Sequence, residues 1–346
     1  MVSKMKKQAG IIVCALVVVM MVLAGCGNTN NNTALSSGED KQAGTPAESS
    51  VTAAVGAEKE KAEQTEEKSG TRKVSTVMGE VEVPANPQRV IVNWYAGDVF
   101  ALGIKPVAVN ARADKAMPFY KQFEGIPNTE KWESEEILRY EPDLIITYDP
   151  KDFENFSKLA PVIVVPEGDV SSTERLSFLG EATGHEAEAK EAIAIYEEKL
   201  KKAKEKLSSG IFKDKTFSIL QDWGRESYGV MYETGSRGGT LLYEYLGLSK
   251  PEKLEQLVKK SGKGRDSLSY EVASQYFGDY VLWFLKEGYE SEYANTVIWD
   301  SIPVVKSGNI IEIPAEYGGL FYYSDVASMT AQLDYIVDRL LELEKK

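Results

Sequence analysis

The sequence predicts an α/β protein built as two Rossmann-like lobes with mostly parallel sheets, joined by one long α-helix. Three observations carry that prediction. Short apolar runs alternate with helical stretches between residues 90 and 165, and the same alternation resumes after residue 216. Between the two series lies a Glu-, Lys- and Ala-rich stretch, residues 186–209, long enough to bridge both.

The first lobe is expected over residues 72–183. Val90 to Val92 and Pro106 to Val109 read as strands flanking a helix that ends at Gly103. Ser134 to Tyr140 reads as a helix, and Leu144 to Tyr148 and Val162 to Val165 as strands. Runs this apolar are expected of parallel strands covered on both faces. Residues 184–210 form the linking helix: Ala192, Ile193, Ile195, Tyr196 and Leu200 give it a narrow apolar stripe, and Glu197-Glu198 precede Lys201-Lys202 at ion-pair spacing. At about 1.5 Å per residue its helical stretch 186–209 would extend roughly 36 Å.

The second lobe is expected over residues 211–346. Phe217 to Leu220 reads as a strand, Thr240 to Leu246 as a helix closing at Gly247, and Tyr270 to Phe277 as a helix. Tyr280 to Phe284 and Asn309 to Ile313 read as strands, with Ala327 to Leu343 as a closing amphipathic helix. The halves echo one another: Leu102-Gly103-Ile104 matches Leu246-Gly247-Leu248, and Glu135 before Pro142-Asp143-Leu144-Ile145 matches Glu271 before Gly278-Asp279-Tyr280-Val281.

Composition narrows function. Of 346 residues, 40 are Lys or Arg and 53 Asp or Glu, giving net charge -13, the wrong sign for gripping nucleic-acid phosphates. With two cysteines and one histidine, His185, zinc clusters and His-dependent triads are nearly excluded. No G-x-S-x-G elbow is present, because Thr234 stands where its first glycine would be. A surface enzyme using only a carboxylate pair stays open at this level.

At the amino terminus, Lys4, Lys6 and Lys7 precede an unbroken apolar run from Ile11 to Leu23, which reads as a signal peptide over residues 1–25. It ends in Leu23-Ala24-Gly25-Cys26, which resembles the lipobox of bacterial lipoproteins. The resemblance implies lipidation at Cys26 and a protein tethered to the cell membrane on its extracytoplasmic face. Residues 26–71 lack aromatics and are rich in small and polar residues, so they are expected to form a flexible linker.

The stretch from Gly79 through Val81, Val83, Pro84, Pro87 and Arg89 to Val92 resembles the opening of bacterial substrate-binding proteins for iron-siderophore, haem and cobalamin ABC importers. Further landmarks agree in order: Leu102 to Val107, Glu135 to Asp143, the linking helix, Ser236-Arg237-Gly238-Gly239, and Glu271 to Asp279. The resemblance implies a ligand cleft between the lobes and no catalysis. It implies a ferric siderophore as ligand, of hydroxamate type, with the iron held by the siderophore and no protein cofactor or metal. It also implies an ABC permease and its ATPase as partners of a monomer, with Glu135 and Glu271 docking on the permease.

Loops after the parallel strands are where ligands bind in open α/β sheets. Those loops offer Trp94, Tyr95, Arg112 and Tyr148 in lobe one, and Trp223, Arg225, Arg237, Trp283, Tyr317, Phe321 and Tyr322 in lobe two. Aromatic faces and guanidinium forks suit a bulky chelate bearing carbonyl and oxyanion oxygens. Trp94 and Trp283 could instead be core residues, Arg225 could pair with Glu226 or Asp222, and at least one of Phe321, Tyr322 and Tyr323 should pack inward. Hydroxamate binders often carry a tryptophan two residues before the arginine; here that position is Gly235, and Trp223 is the candidate to replace it. Haem held by Tyr148 or Tyr322, and cobalamin, are the alternative ligands.

Overall fold

The structure is a computed structural model and describes residues 70–129, 131–224 and 227–345. The signal peptide, Cys26, most of the linker and Arg225 lie outside the described residues.

An antiparallel hairpin opens the fold, β1 (Thr71–Thr76) paired with β2 (Gly79–Pro84). Its alternation turns Val74, Val81 and Val83 inward. The first sheet follows, with β3 (Val90–Asn93), β4 (Ala108–Asn110), β5 (Leu144–Thr147) and β6 (Val162–Val164) in the order β4-β3-β5-β6, all parallel. Its crossovers carry α1 (Ala96–Ala101), α2 (Ser134–Leu138) and α3 (Lys151–Phe156). Then α4 (Ser172–Thr183) starts on a Ser171/Glu174 capping box and stops at left-handed Gly184.

The long helix α5 (Glu186–Leu207) buries only Ala189, Tyr196, Ala203 and Leu207, a stripe recurring about every second turn. The second sheet contains β7 (Phe217–Gln221), β8 (Val230–Glu233), β9 (Arg265–Leu268), β10 (Tyr280–Phe284) and β11 (Ile310–Ile313), in the order β11-β10-β7-β8-β9. β11, β10 and β7 run parallel, whereas β8 and β9 are antiparallel additions at one side. A π-helical turn, Thr240–Tyr245, occupies the place predicted for a helix closing at Gly247. Helices α6 (Glu252–Ser261), α7 (Tyr270–Ala273), α8 (Pro303–Lys306) and α9 (Val326–Glu344) complete the lobe.

The echo between the halves is structural. Asp143 accepts from the backbone N–H groups of Gln88 and Arg89 at the foot of β3, and Asp279 accepts from the N–H and hydroxyl of Thr216 at the foot of β7. Each sheet has an outer cluster of its own, Ile91, Ile137, Ile145 and Phe156 in one lobe and Leu220, Tyr232, Trp283 and Tyr293 in the other. The inner faces share one continuous core with α5 and α9, from Val92 and Ile146 through Tyr196 to Leu282, Phe284 and Leu333.

The closing helix does not stay within the second lobe. α9 packs on α5 and on α1, and its N-cap Asp325 presses so closely on Gly97 that a Cβ there would sit 2.3 Å from the carboxyl carbon. Beside it the buried pair Arg175 and Asp98 meets at 2.9 Å, and Arg175 also lies over the Tyr95 ring at 4.5 Å. Burial pushes the Asp98 carboxyl up to about 6 in spite of Arg175.

Candidate functional site

Two adjoining cavities, of about 230 and 820 Å³, lie between the lobes beyond the carboxyl ends of the parallel strands. Trp94 enters the smaller one directly after β3, in a left-handed conformation with φ 73°. Its ring is boxed by Tyr148 at 5.9 Å, Tyr322 at 5.7 Å and, edge to face, Tyr323 at 4.8 Å. The Tyr323 hydroxyl accepts from the Arg112 backbone N–H at 2.9 Å, and burial pushes that phenol up to about 12.

Arg112 holds its guanidinium 4.9 Å from the Tyr322 ring centre and pairs with Asp114 at 3.2 Å. Opposite Asp114 stands Gly319, where a Cβ would fall 2.0 Å from the Asp114 carboxyl carbon. Only glycine admits this approach of the two lobes.

In the second lobe Trp223 follows β7 and lines the larger cavity. Asp222, buried beside it, accepts from Gly224 N–H, Ser227 Oγ, Tyr270 Oη, Ser291 Oγ and Tyr293 N–H, which ties the Trp223 loop to the loop after β10. Trp223 Nε1 has no hydrogen-bond partner among the described residues. Arg237 has φ 54° and lies 5.7 Å from the ring centres of both Trp223 and Phe284, with one terminal nitrogen 3.4 Å from the Gly318 carbonyl oxygen. Burial above all, with Arg265 and Arg112 nearby, lowers the Arg237 pKa. Of the paired glycines after it, Gly238 has a left-handed φ of 83°, and a Cβ on Gly239 would meet the Thr234 backbone at 2.4 Å.

Of the residues expected in the cleft, Trp94, Arg112, Trp223, Arg237, Phe321 and Tyr322 line the cavities. Four do not. Trp283 is 1% exposed in the outer cluster against Trp299, because on β10 odd and even positions face opposite ways and it is Phe284 that faces Arg237. Tyr95 is 2% exposed, its hydroxyl donating to the Val165 carbonyl at 2.6 Å. Tyr317 packs at a tilt on Tyr335, ring centres 4.7 Å apart, and Tyr148 stands behind Trp94. His185 sits at the start of α5, within hydrogen-bond distance of Thr183 Oγ1, and lines neither cavity.

Sequence reasoning missed Arg265 and Lys286. Lys286 comes two residues after β10 and places its ammonium 4.7 Å from the Trp223 ring centre, so the strand-end rule reaches it. Arg265 stands on β9, whose Arg-Asp-Ser-Leu stretch has no strand-like apolar pattern, and nothing local marks it. Glu135 and Glu271 are both exposed, on α2 and α7, the helices that cover the two outer clusters.

Two α/β lobes bridged by a long helix, with an aromatic and cationic cleft between them, define a solute-binding protein of the single-linking-helix type. The chain belongs to the periplasmic binding protein family, whose model matches residues 90–317. It is 29% identical to the iron(3+)-hydroxamate-binding protein YxeB of Bacillus subtilis over 284 residues, 80% of this chain and 87% of that one. It is 30% identical to the iron(3+)-hydroxamate-binding protein FhuD of the same organism, over 76% and 84% of the two chains. Among solved structures, Staphylococcus aureus FhuD2 with bound ferrioxamine B superposes with a TM-score of 0.62 at 25% identity, covering 74% of this chain and 99% of that one.

Proposed function

We propose that this protein is a lipid-anchored, extracytoplasmic solute-binding protein that captures a ferric siderophore of hydroxamate type and delivers it to an ABC permease and its ATPase. The observation that carries this reading is the cleft itself. Trp94 and Tyr322 on one side and Trp223 on the other offer ring faces, while Arg112 and Arg237 bring donors to ligand oxygens. The siderophore fills the coordination of its iron, so the protein holds the chelate by its shell and supplies no ligand to the metal. Relatives named for iron(3+)-hydroxamate binding, covered over most of their length, support the same ligand class.

Glu135 and Glu271, exposed on the outward helices of opposite lobes, are the residues assigned to meet basic groups of the permease. Anchoring is assigned to Cys26, with the following segment as tether.

The test is a titration of wild type and Arg237→Ala with a ferric hydroxamate, a ferric catecholate and haem, following tryptophan fluorescence. Wild type should bind the hydroxamate below about micromolar, and Arg237→Ala should bind it at least thirtyfold more weakly, since losing a charge-assisted contact in a desolvated site costs about 2 to 5 kcal/mol. Binding of haem alone would overturn the siderophore reading.

A further inference from the structure

The neck between the two cavities is made by two guanidinium groups. Arg237 and Arg265 are the only described residues that line both cavities, so a ligand occupying both lies against them. Arg237 has no carboxylate within ion-pair distance among the described residues; its contacts are the Gly318 carbonyl and the two ring faces.

Arg265 reaches the neck from β9, at the edge of the second sheet. Its Nε lies 3.1 Å from Glu233 Oε1. That carboxylate is 1% exposed and also accepts from Gln221 Nε2 at 2.9 Å and from Ser236 Oγ. Glu233 thus fixes the base of the guanidinium, while the Arg265 side chain remains 53% exposed and its terminal nitrogens have no partner among the described residues.

Carboxylates lie nearby without closing the neck. Asp114 is paired with Arg112, and Glu167, Glu287 and Glu316 each line one cavity only. The position that a ligand spanning both cavities meets carries a guanidinium from each of Arg237 and Arg265, the second paired through Nε with buried Glu233 and presenting its outer nitrogens to the cavity. Like charges brought together in a partly desolvated neck repel more strongly than in open water, and a carboxylate there is attracted for the same reason.

From this geometry we infer that Arg265 is the charge-selecting residue of the cleft, discriminating against chelates with a positively charged periphery and favouring those that carry a carboxylate, with Glu233 as its positioning residue. The inference rests on the chelate-binding reading above. It adds a selectivity that Arg237 alone does not supply, because Arg237 is spread over two aromatic faces and a carbonyl whereas the outer nitrogens of Arg265 are uncommitted among the described residues.

The test uses one ferric trihydroxamate core in three forms, its terminal amine left as an ammonium, acetylated, or succinylated to a carboxylate. The core and iron coordination are then constant and only the peripheral charge changes. Titrations at low ionic strength avoid screening of a half-exposed charge. In wild type, affinity should rise from ammonium to acetyl to succinyl, by about tenfold or more across the series. Arg265→Gln should flatten the series to within about threefold, each form being compared with the others in the same variant, and Arg265→Lys should restore most of the gradient. Glu233→Gln with Arg265→Gln removes the buried carboxylate left unpaired by the single change, and should be equally flat with the wild-type melting temperature recovered. A flat series in wild type, or an unchanged gradient in Arg265→Gln, overturns the charge assignment while leaving the siderophore reading standing. Failure of all three chelates to bind wild type overturns both.

Discussion

In the N-terminal lobe β3 ends at Asn93 and delivers Trp94 to the cleft; in the C-terminal lobe β7 ends at Gln221 and delivers Trp223 two residues on. The two indoles then meet different company. Trp94 is enclosed by the rings of Tyr148, Tyr322 and Tyr323, whereas Trp223 is bordered by Arg237 and Lys286. A repeated framework therefore supplies one aromatic wall set among tyrosine rings and one bordered by cations. The outer faces keep the symmetry that the cleft has lost, with Asp143 and Asp279 bracing the first strands and Glu135 and Glu271 exposed on the covering helices.

The largest expected effect tests the outer symmetry. Reversing both glutamates, Glu135→Arg with Glu271→Arg, should abolish uptake in cells that depend on this protein while ligand titration in solution stays unchanged. A single exposed ion pair contributes only about 0.2 to 1 kcal/mol, but repulsion at two docking points acts together. Wild-type uptake by the double variant would remove the docking assignment.

The cleft asymmetry predicts a smaller and unequal pair of effects. Trp94→Ala should lower unfolding stability by about 3 kcal/mol in urea titration, because it leaves a cavity among three tyrosines. Trp223→Ala should change stability by less than about 1.5 kcal/mol and weaken ligand binding by up to about tenfold, through loss of one stacking face. Equal stability losses would mean that the two indoles are packed alike.

The smallest effect concerns the seam between α1, α4 and α9. Asp98 is raised by burial from 3.8 to about 6, so between those values the folded state binds the proton that the unfolded chain has released. Its contribution to stability is therefore present below about pH 3.8 and is lost as pH rises through about 6. Asp98→Asn cannot titrate, so wild type should gain stability relative to this variant on going from pH 7 to pH 5. A stability difference that is flat with pH, followed by thermal melts, would contradict the raised carboxyl.

Much of the framework was legible because parallel strands buried on both faces must be apolar throughout. Leu144–Thr147 and Tyr280–Phe284 announce themselves without any neighbour in view. Strands β8 and β9 were missed because they are antiparallel additions, and β9 is mostly exposed and polar. In the cleft, Arg237 was legible through the resemblance to hydroxamate binders, as the arginine before paired glycines, and Trp94 from its place after a strand. Trp283 was misplaced because its side of the sheet depends on a parity of one residue.

The chain by itself determined the alternation of strands and helices, the duplicated plan, the long α5 and the family, since each follows from local apolar periodicity and from motifs of contiguous residues. Tertiary structure alone decided which aromatics line the cleft and which fill the core, that α9 crosses back to pack on α1, and that Arg265 joins Arg237 at the neck. These depend on long-range pairings, such as Glu233 with Arg265 across β8 and β9 and Asp114 against Gly319 across the lobes. Such contacts join residues far apart in sequence, and no local pattern encodes a distance between them.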